Sequence, residues 1–127
     1  ASHALVPGDH GTTYGGNPFA TAAVSAVYDI FEEEHITDHV KEVGAYLYEK
    51  LEELKAEYSQ ITDHRGLGLM QGLEFSGPVG DIIVRAMDKG LILMSAGANV
   101  LRFVPPLVIT KEHVDEMCGI LRSVLTA

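Results

Sequence analysis

The chain has 127 residues, 46% of them hydrophobic, which is enough for one ordinary core and too little for two full domains. Its net charge of -9, from 9 basic and 18 acidic residues, argues against nucleic acid or an anionic membrane surface as a partner. No apolar run approaches the roughly 20 residues that span a bilayer, and no export signal is visible. The single cysteine, Cys118, is typical of a reducing compartment, so we expect a cytoplasmic protein.

The first sixteen residues are rich in glycine and small polar residues, a composition that favours irregular backbone. We therefore predict a loop over residues 1–16. A loop this long at the start of a compact domain indicates a segment that lies against a surface absent from the sequence. Asn17 is placed to cap a helix that begins with Pro18, and small residues at helical spacing continue that helix to Ile30.

A second predicted helix follows an acidic break at residues 32–34. Its apolar residues repeat every three or four positions and form a stripe of about six turns, at Val40, Val43, Leu47, Leu51, Leu54 and Tyr58. Such a stripe fits a coiled-coil seam, or a helix that packs along a sheet or joins two domains. We favour the second interpretation.

From Gly66 the spacing changes to the alternation of a strand. The apolar side chains on its predicted inner face are Leu67, Leu69, Leu73 and Phe75. Helical spacing returns over residues 79–87, and Gly90 is a natural end for that helix. This part of the chain is therefore predicted to hold one strand and one helix.

The last third of the chain predicts two more strands and a helix. Residues 91–94 have the pattern of a strand, and residues 100–104 that of its hairpin partner. Thr110 is placed to cap a final helix, whose inward residues are Val114, Met117, Cys118, Leu121 and Leu125. The order strand, helix, strand, strand, helix predicts a small α+β domain over residues 62–127.

The segment from His10 to Pro18 has features of an anion site. It combines two adjacent hydroxyls, on Thr12 and Thr13, with glycines that let backbone N–H groups converge before a helix amino terminus. It lacks the pattern of a nucleotide-binding P-loop. On these residues alone, a plain capping loop is the stronger interpretation.

Arg102 stands alone between Leu101 and Phe103 in a short apolar strand, so its side chain points away from theirs. An arginine there is costly unless it meets a carboxylate or reaches water. Both an edge-strand arginine in solvent and an anion-binding arginine fit this pattern. Arg65, at a strand start, fits a solvated or salt-bridged residue better than an anion site.

The remaining polar clusters do not predict a reaction centre. His35 and His39 lie four residues apart without a third ligand at a recognised spacing, so we predict no metal site. The glutamate clusters have the pattern of exposed helix faces beside lysines, and they are not predicted acid–base pairs.

The sequence HGTTYGGNP at residues 10–18 resembles the loop that follows the cofactor lysine in class III, pyridoxal-phosphate-dependent aminotransferases of the acetylornithine type. The segments RGLGLM at residues 65–70 and LRFVPPL at residues 101–107 occur in the same order in that family. The resemblance thus covers nearly the whole chain. It implies that residues 1–61 are the end of a cofactor-binding large domain of α/β fold type I, and that residues 62–127 are the carboxy-terminal small domain.

The resemblance also implies roles for three residues. Thr13 bonds the phosphate of a pyridoxal phosphate that is held mainly by the other subunit of a homodimer, and Thr12 lies beside the substrate. Arg102 holds the substrate carboxylate, for which a guanidinium offers two parallel bonds. No lysine of the chain matches the family's catalytic lysine, which lies upstream; the lysines present are Lys41, Lys50, Lys55, Lys89 and Lys111. The chain is therefore expected to be a fragment without activity of its own.

The reaction implied for the complete enzyme is reversible amino transfer between N-acetylornithine and 2-oxoglutarate, a step of arginine biosynthesis. Ornithine and succinyl-diaminopimelate are the alternative amino donors within the family. Outside the family, the chain fits an independent α+β ligand-binding module, or a scaffold piece that pairs with another chain. The glycine-rich loop and the alanine-rich helix argue against a self-sufficient module, because both expose close-packing surfaces with no visible partner.

Overall fold

The computed structural model describes residues 11–126 of the chain. The chain divides into two compact units, with the division between His35 and Ile36. In its described part, the first unit holds a loop and helix α1 (Pro18–Glu33), and the second holds three helices and four strands. The boundary after residue 61 that the family resemblance implies, between a large and a small domain, differs from this division and stays a prediction. No helix among the described residues is long and apolar enough to cross a bilayer.

Helix α1 begins where the sequence predicts. The Asn17 side chain accepts a hydrogen bond from the Ala20 N–H at 3.0 Å, and Pro18 takes the first helical position, where an N–H has no intrahelical partner. No residue of α1 is buried, and several of its large apolar side chains are exposed, namely Phe19, Val24, Val27, Tyr28 and Ile30. The helix therefore has no packing core among the described residues of its own unit.

The second unit is built around a four-stranded antiparallel sheet with strand order β1-β2-β4-β3. Along the chain its elements are α2 (Ile36–Glu57), β1 (Ile61–Leu67), β2 (Met70–Phe75), α3 (Gly80–Asp88), β3 (Met94–Ser95), β4 (Val100–Phe103) and α4 (Lys111–Leu125). The prediction of a small α+β domain is therefore confirmed. Its predicted element order is wrong, because there are two strands ahead of α3.

The single strand predicted from Gly66 is a hairpin. β1 and β2 pair as far as Leu67 and Met70, which leaves Gly68 and Leu69 as a two-residue turn. Gly68 has a φ of +57°, a conformation that glycine adopts without the strain of a side chain. Leu67 is 88% exposed while Leu69 is buried, so the predicted common apolar face does not form.

The core joins the sheet to helices α2 and α4. The predicted stripe of α2 is buried at Val43, Leu47, Leu51 and Leu54, which confirms a helix packed along a sheet. On the sheet, Leu73 of β2 faces Leu101 of β4, and both are fully buried. From α4, the core receives Val114, Cys118, Leu121 and Val124. The core thus covers one face of the sheet. The residues that alternate with these leucines lie on the opposite face.

The strand predicted over residues 91–94 is shorter than expected. The Leu91 N–H bonds the Ala86 carbonyl at 2.9 Å, so the start of the predicted strand closes the turn that follows α3. At the last helix, the Thr110 N–H donates to His113 Nδ1 at 3.0 Å, and α4 begins at the predicted place.

Candidate functional site

One row of residues crosses all four strands on the sheet face opposite the core. Arg65 of β1 pairs with Gly72 of β2, Gly72 pairs with Arg102 of β4, and Arg102 pairs with Met94 of β3. Residues directly opposite each other in an antiparallel sheet share a face, and Arg102 alternates with the buried Leu101. We call these four residues, Arg65, Gly72, Arg102 and Met94, the arginine row.

Arg102 carries a charge that no carboxylate of the described chain balances. It makes no ion pair among residues 11–126, and its Nη2 atom lies 3.8 Å from the Met94 thioether, a weak acceptor. Its Nε atom is buried without a hydrogen-bond partner in the same part of the chain. The planar guanidinium therefore keeps donors for an incoming carboxylate, which accepts two parallel bonds.

Arg65 lies in the same row, and two carboxylates balance its charge. Its Nη1 atom donates to Asp63 and to Glu74, each at 2.7 Å. The hydrogen bond from Arg65 lowers the pKa of Asp63, and the bonds to Glu74 and Asp63 raise the pKa of Arg65. The two arginines of the row thus differ in ion pairing: Arg65 is paired with carboxylates, and Arg102 is available to a ligand.

Glu74 is held from two sides. Its Oε2 atom accepts from Arg65 at 2.7 Å, and its Oε1 atom accepts from the Asn99 side chain at 3.3 Å. Sequence reasoning did not single out Glu74, Asn99 or Met94. They are identified by the pairing register of the strands. That register can be derived only when Gly68 is recognised as part of a turn.

Two concave surfaces meet at Arg102. One is a cavity of about 340 Å³, whose mostly apolar wall includes Leu47, Ile92, Met94, Phe103, Pro105 and Met117. The other is an open groove along the arginine row, which also reaches Leu67 and Ala96. Apolar walls with a few placed polar groups are typical of small-molecule sites. The second unit therefore offers, beside apolar surface, an arginine without a charged partner among the described residues.

The predicted hydroxyl pair lies in the first unit. Thr12 and Thr13 are exposed in the loop that leads into α1, and the residues before Gly11 lie outside the described part. A Cβ atom on Gly15 would collide with the Thr12 methyl group, and Gly16 has a φ of +73°. The backbone conformation favours glycine at position 16, whereas the contact at Gly15 involves only an exposed side chain that can rotate. The loop presents two hydroxyls just ahead of a helix amino terminus.

The structure gives no sign of metal ligation at His35 or His39 among the described residues. His39 Nε2 lies 2.8 Å from the Ile109 carbonyl, and His35 has a φ of +50° between α1 and α2. Residues 11–126 contain no group of three histidine, cysteine or acidic side chains that could hold a metal ion.

Known proteins resemble the chain over almost its whole length. The family profile described as aminotransferase class-III matches residues 2–125. The acetylornithine aminotransferase of Methanocaldococcus jannaschii is 46% identical over 125 residues, which are 97% of this chain and 31% of that protein. The acetylornithine aminotransferase of Bacillus subtilis is 42% identical over 123 residues, or 96% of this chain and 31% of that protein.

Solved structures share the fold. The acetylornithine aminotransferase from Elizabethkingia anophelis superposes with a TM-score of 0.83 at 28% identity, over 96% of this chain and 32% of that chain. The ornithine delta-aminotransferase of Plasmodium falciparum has a TM-score of 0.83 at 34% identity, again over 96% of this chain and 32% of that chain. The chain spans about a third of the length of the curated relatives it matches.

Proposed function

The chain belongs to the class III aminotransferases, and we propose that it is the carboxy-terminal part of an enzyme that moves an amino group between N-acetylornithine and 2-oxoglutarate. Two relatives whose names support acetylornithine as the amino donor are 46% and 42% identical to the chain. The proposed enzyme is a cytoplasmic homodimer of arginine biosynthesis. Its catalytic lysine and most of its cofactor site belong to the two thirds of the relatives' length that this chain does not cover.

The observation that carries this proposal is the unbalanced charge of Arg102. Its guanidinium lies on the open sheet face beside apolar surface, without an ion pair among the described residues. We assign it to the α-carboxylate of glutamate and of 2-oxoglutarate. Two parallel N–H to oxygen bonds would fix both the position and the orientation of that carboxylate.

The loop ahead of α1 fits the phosphate of pyridoxal phosphate, the cofactor of this family. Its two exposed hydroxyls precede a helix amino terminus, where backbone N–H groups and the helix dipole favour an anion. In the proposed enzyme Thr13 donates to that phosphate and Thr12 lies beside the substrate. The bound cofactor supplies the electron sink for amino transfer, while this chain binds and orients charged groups.

Ornithine aminotransferase is the second candidate. The Plasmodium falciparum structure favours it, since it is 34% identical to the chain against 28% for the Elizabethkingia anophelis enzyme. The curated relatives at 42% and 46% identity favour acetylornithine. Comparing the catalytic efficiencies of the full-length enzyme for acetylornithine and for ornithine distinguishes the two.

Arg102→Lys tests the proposed carboxylate site in the full-length enzyme. Lysine keeps the charge and loses the two-bond fork, so catalytic efficiency for glutamate should fall by about 2 to 4 kcal/mol in transition-state terms. The proposal assigns Arg102 to the carboxylate of glutamate and 2-oxoglutarate, so the acetylornithine half-reaction should suffer less. Single-turnover kinetics of the two half-reactions and the melting temperature measure these effects.

Arg85→Lys is the matched control for this test. Arg85 lies on α3, where it bonds the Val124 carbonyl at 2.7 Å and pairs with Asp81 at 3.0 Å. It is expected to leave glutamate kinetics unchanged. Unchanged glutamate kinetics in Arg102→Lys, or equal slowing of both half-reactions together with unfolding, would show that Arg102 is structural.

A further inference from the structure

Glu74 is a diagonal neighbour of both arginines in the arginine row. It pairs with Asp63 on β1 and with Val100 on β4, each two residues from an arginine of the row. Diagonal positions on antiparallel strands lie about 7–8 Å apart, within reach of long side chains. The same carboxylate can therefore pair with Arg65 or with Arg102.

The structure shows which pair forms. Glu74 bonds Arg65 at 2.7 Å and Asn99 at 3.3 Å, so each of its oxygens has a donor. Among residues 11–126, the Arg102 guanidinium has only the Met94 sulfur as a hydrogen-bond partner, at 3.8 Å. Without Arg65, the Oε2 atom of Glu74 would lose its charged partner, and the guanidinium of Arg102 would be the next cation across the sheet.

We propose that Arg65 is a positioning residue of the substrate site, which holds Glu74 away from Arg102 and so keeps Arg102 open to the substrate carboxylate. This inference rests on the proposed function of Arg102. A ligand that needs an unpaired Arg102 binds only the molecules in which Arg102 is unpaired. Its apparent Kd is therefore the intrinsic Kd divided by the fraction of such molecules. The side chains of Arg65 and Glu74 are 54% and 34% exposed, so Glu74 lies near solvent, where the effect of one ion pair is about fivefold or less.

Arg65→Gln in the full-length enzyme tests the inference. It frees Glu74, so KM for 2-oxoglutarate should rise by up to about fivefold, with kcat and KM for acetylornithine unchanged. Adding Glu74→Gln to this variant removes the competing charge and should restore KM. Asp63→Asn is the matched control, because it removes the other partner of Arg65 and leaves the bond to Glu74 in place.

The outcomes separate this inference from the proposed function. If Arg102→Lys impairs glutamate kinetics and Arg65→Gln does not raise KM for 2-oxoglutarate, the role of Arg65 is overturned and the carboxylate site stands. A raised KM that Glu74→Gln fails to restore would show that Arg65 acts through folding, which also overturns the inference. Normal glutamate kinetics in Arg102→Lys would remove the proposed function and the inference together.

Discussion

At the scale of single residues, the neighbours of a charge decide what that charge can do. Arg65 and Arg102 occupy equivalent places on either side of Gly72, yet in the described part of the chain only Arg65 bonds carboxylates, at 2.7 Å. The sequence predicted the direction of the Arg102 side chain, because alternation in a short strand is a local property. It could not predict the pairing of Glu74, since that depends on the register of three strands.

Thr13→Ala tests the proposed phosphate contact at the same scale. Loss of a hydrogen bond to a charged acceptor should weaken cofactor retention in the full-length enzyme by about 1 to 3 kcal/mol. Thr13→Ser keeps the hydroxyl and serves as the control. Dialysis followed by absorbance measures the bound cofactor. If the loop serves the neighbouring subunit, cofactor loss and dimer dissociation should be coupled; equal retention in the alanine variant would refute the assignment.

At the scale of elements, helices were predicted well and the first strand was not. Asn17, Pro18 and Thr110 carry local signals for helix starts, and these need no tertiary contact to be read. Strand β1 was missed because polar residues interrupt it; His64, for example, is buried between Glu52 at 2.6 Å and Gln71 at 3.1 Å. The period of two also continues through the turn at Gly68, so alternation alone does not distinguish one strand from a tight hairpin.

The close approach of α2 to this hairpin gives a prediction for Gly44. A Cβ atom there would lie 2.8 Å from the Gly68 carbonyl carbon and 2.9 Å from its Cα. Because the obstacle is backbone, helix and turn must move apart. Gly44→Ala should destabilise the full-length enzyme by about 1 to 3 kcal/mol, although alanine favours a helix by up to about 1 kcal/mol over glycine.

Gly119→Ala in α4 is the control, since a Cβ atom there meets nothing within 4 Å. It should stabilise the enzyme slightly, by up to about 1 kcal/mol. Thermal unfolding of both variants provides the comparison. A Gly44→Ala enzyme as stable as Gly119→Ala would show that the contact between α2 and the turn is loose.

At the scale of the whole molecule, the two units differ in how complete they are. The second unit has one connected core drawn from helices and strands. The first unit, in its described part, exposes apolar side chains along α1 and buries none of that helix. Such surface favours burial against further protein, which supports the proposal that the chain is part of a longer enzyme.

The lysines give a prediction for the isolated chain. A lysine that bonds pyridoxal phosphate covalently needs a desolvated amine with a lowered pKa. Here the hydrogen bonds that Lys50 donates to Glu53 and Lys111 donates to Glu42 raise the pKa of both lysines, while Lys41 pairs with Asp38 at 2.9 Å. Incubation with pyridoxal phosphate, borohydride reduction and peptide mapping should therefore find no single labelled lysine. Stoichiometric labelling at one position would contradict the fragment interpretation.

The arginine row has a consequence for enzyme engineering. All of its members, and the Glu74 that Arg65 holds, lie on four adjacent strands of one unit. A chimera that receives residues 36–126 in place of the corresponding segment of a relative would therefore inherit the proposed carboxylate site intact. If Arg102 holds the carboxylate of 2-oxoglutarate as proposed, binding of that acceptor would depend on the transplanted segment.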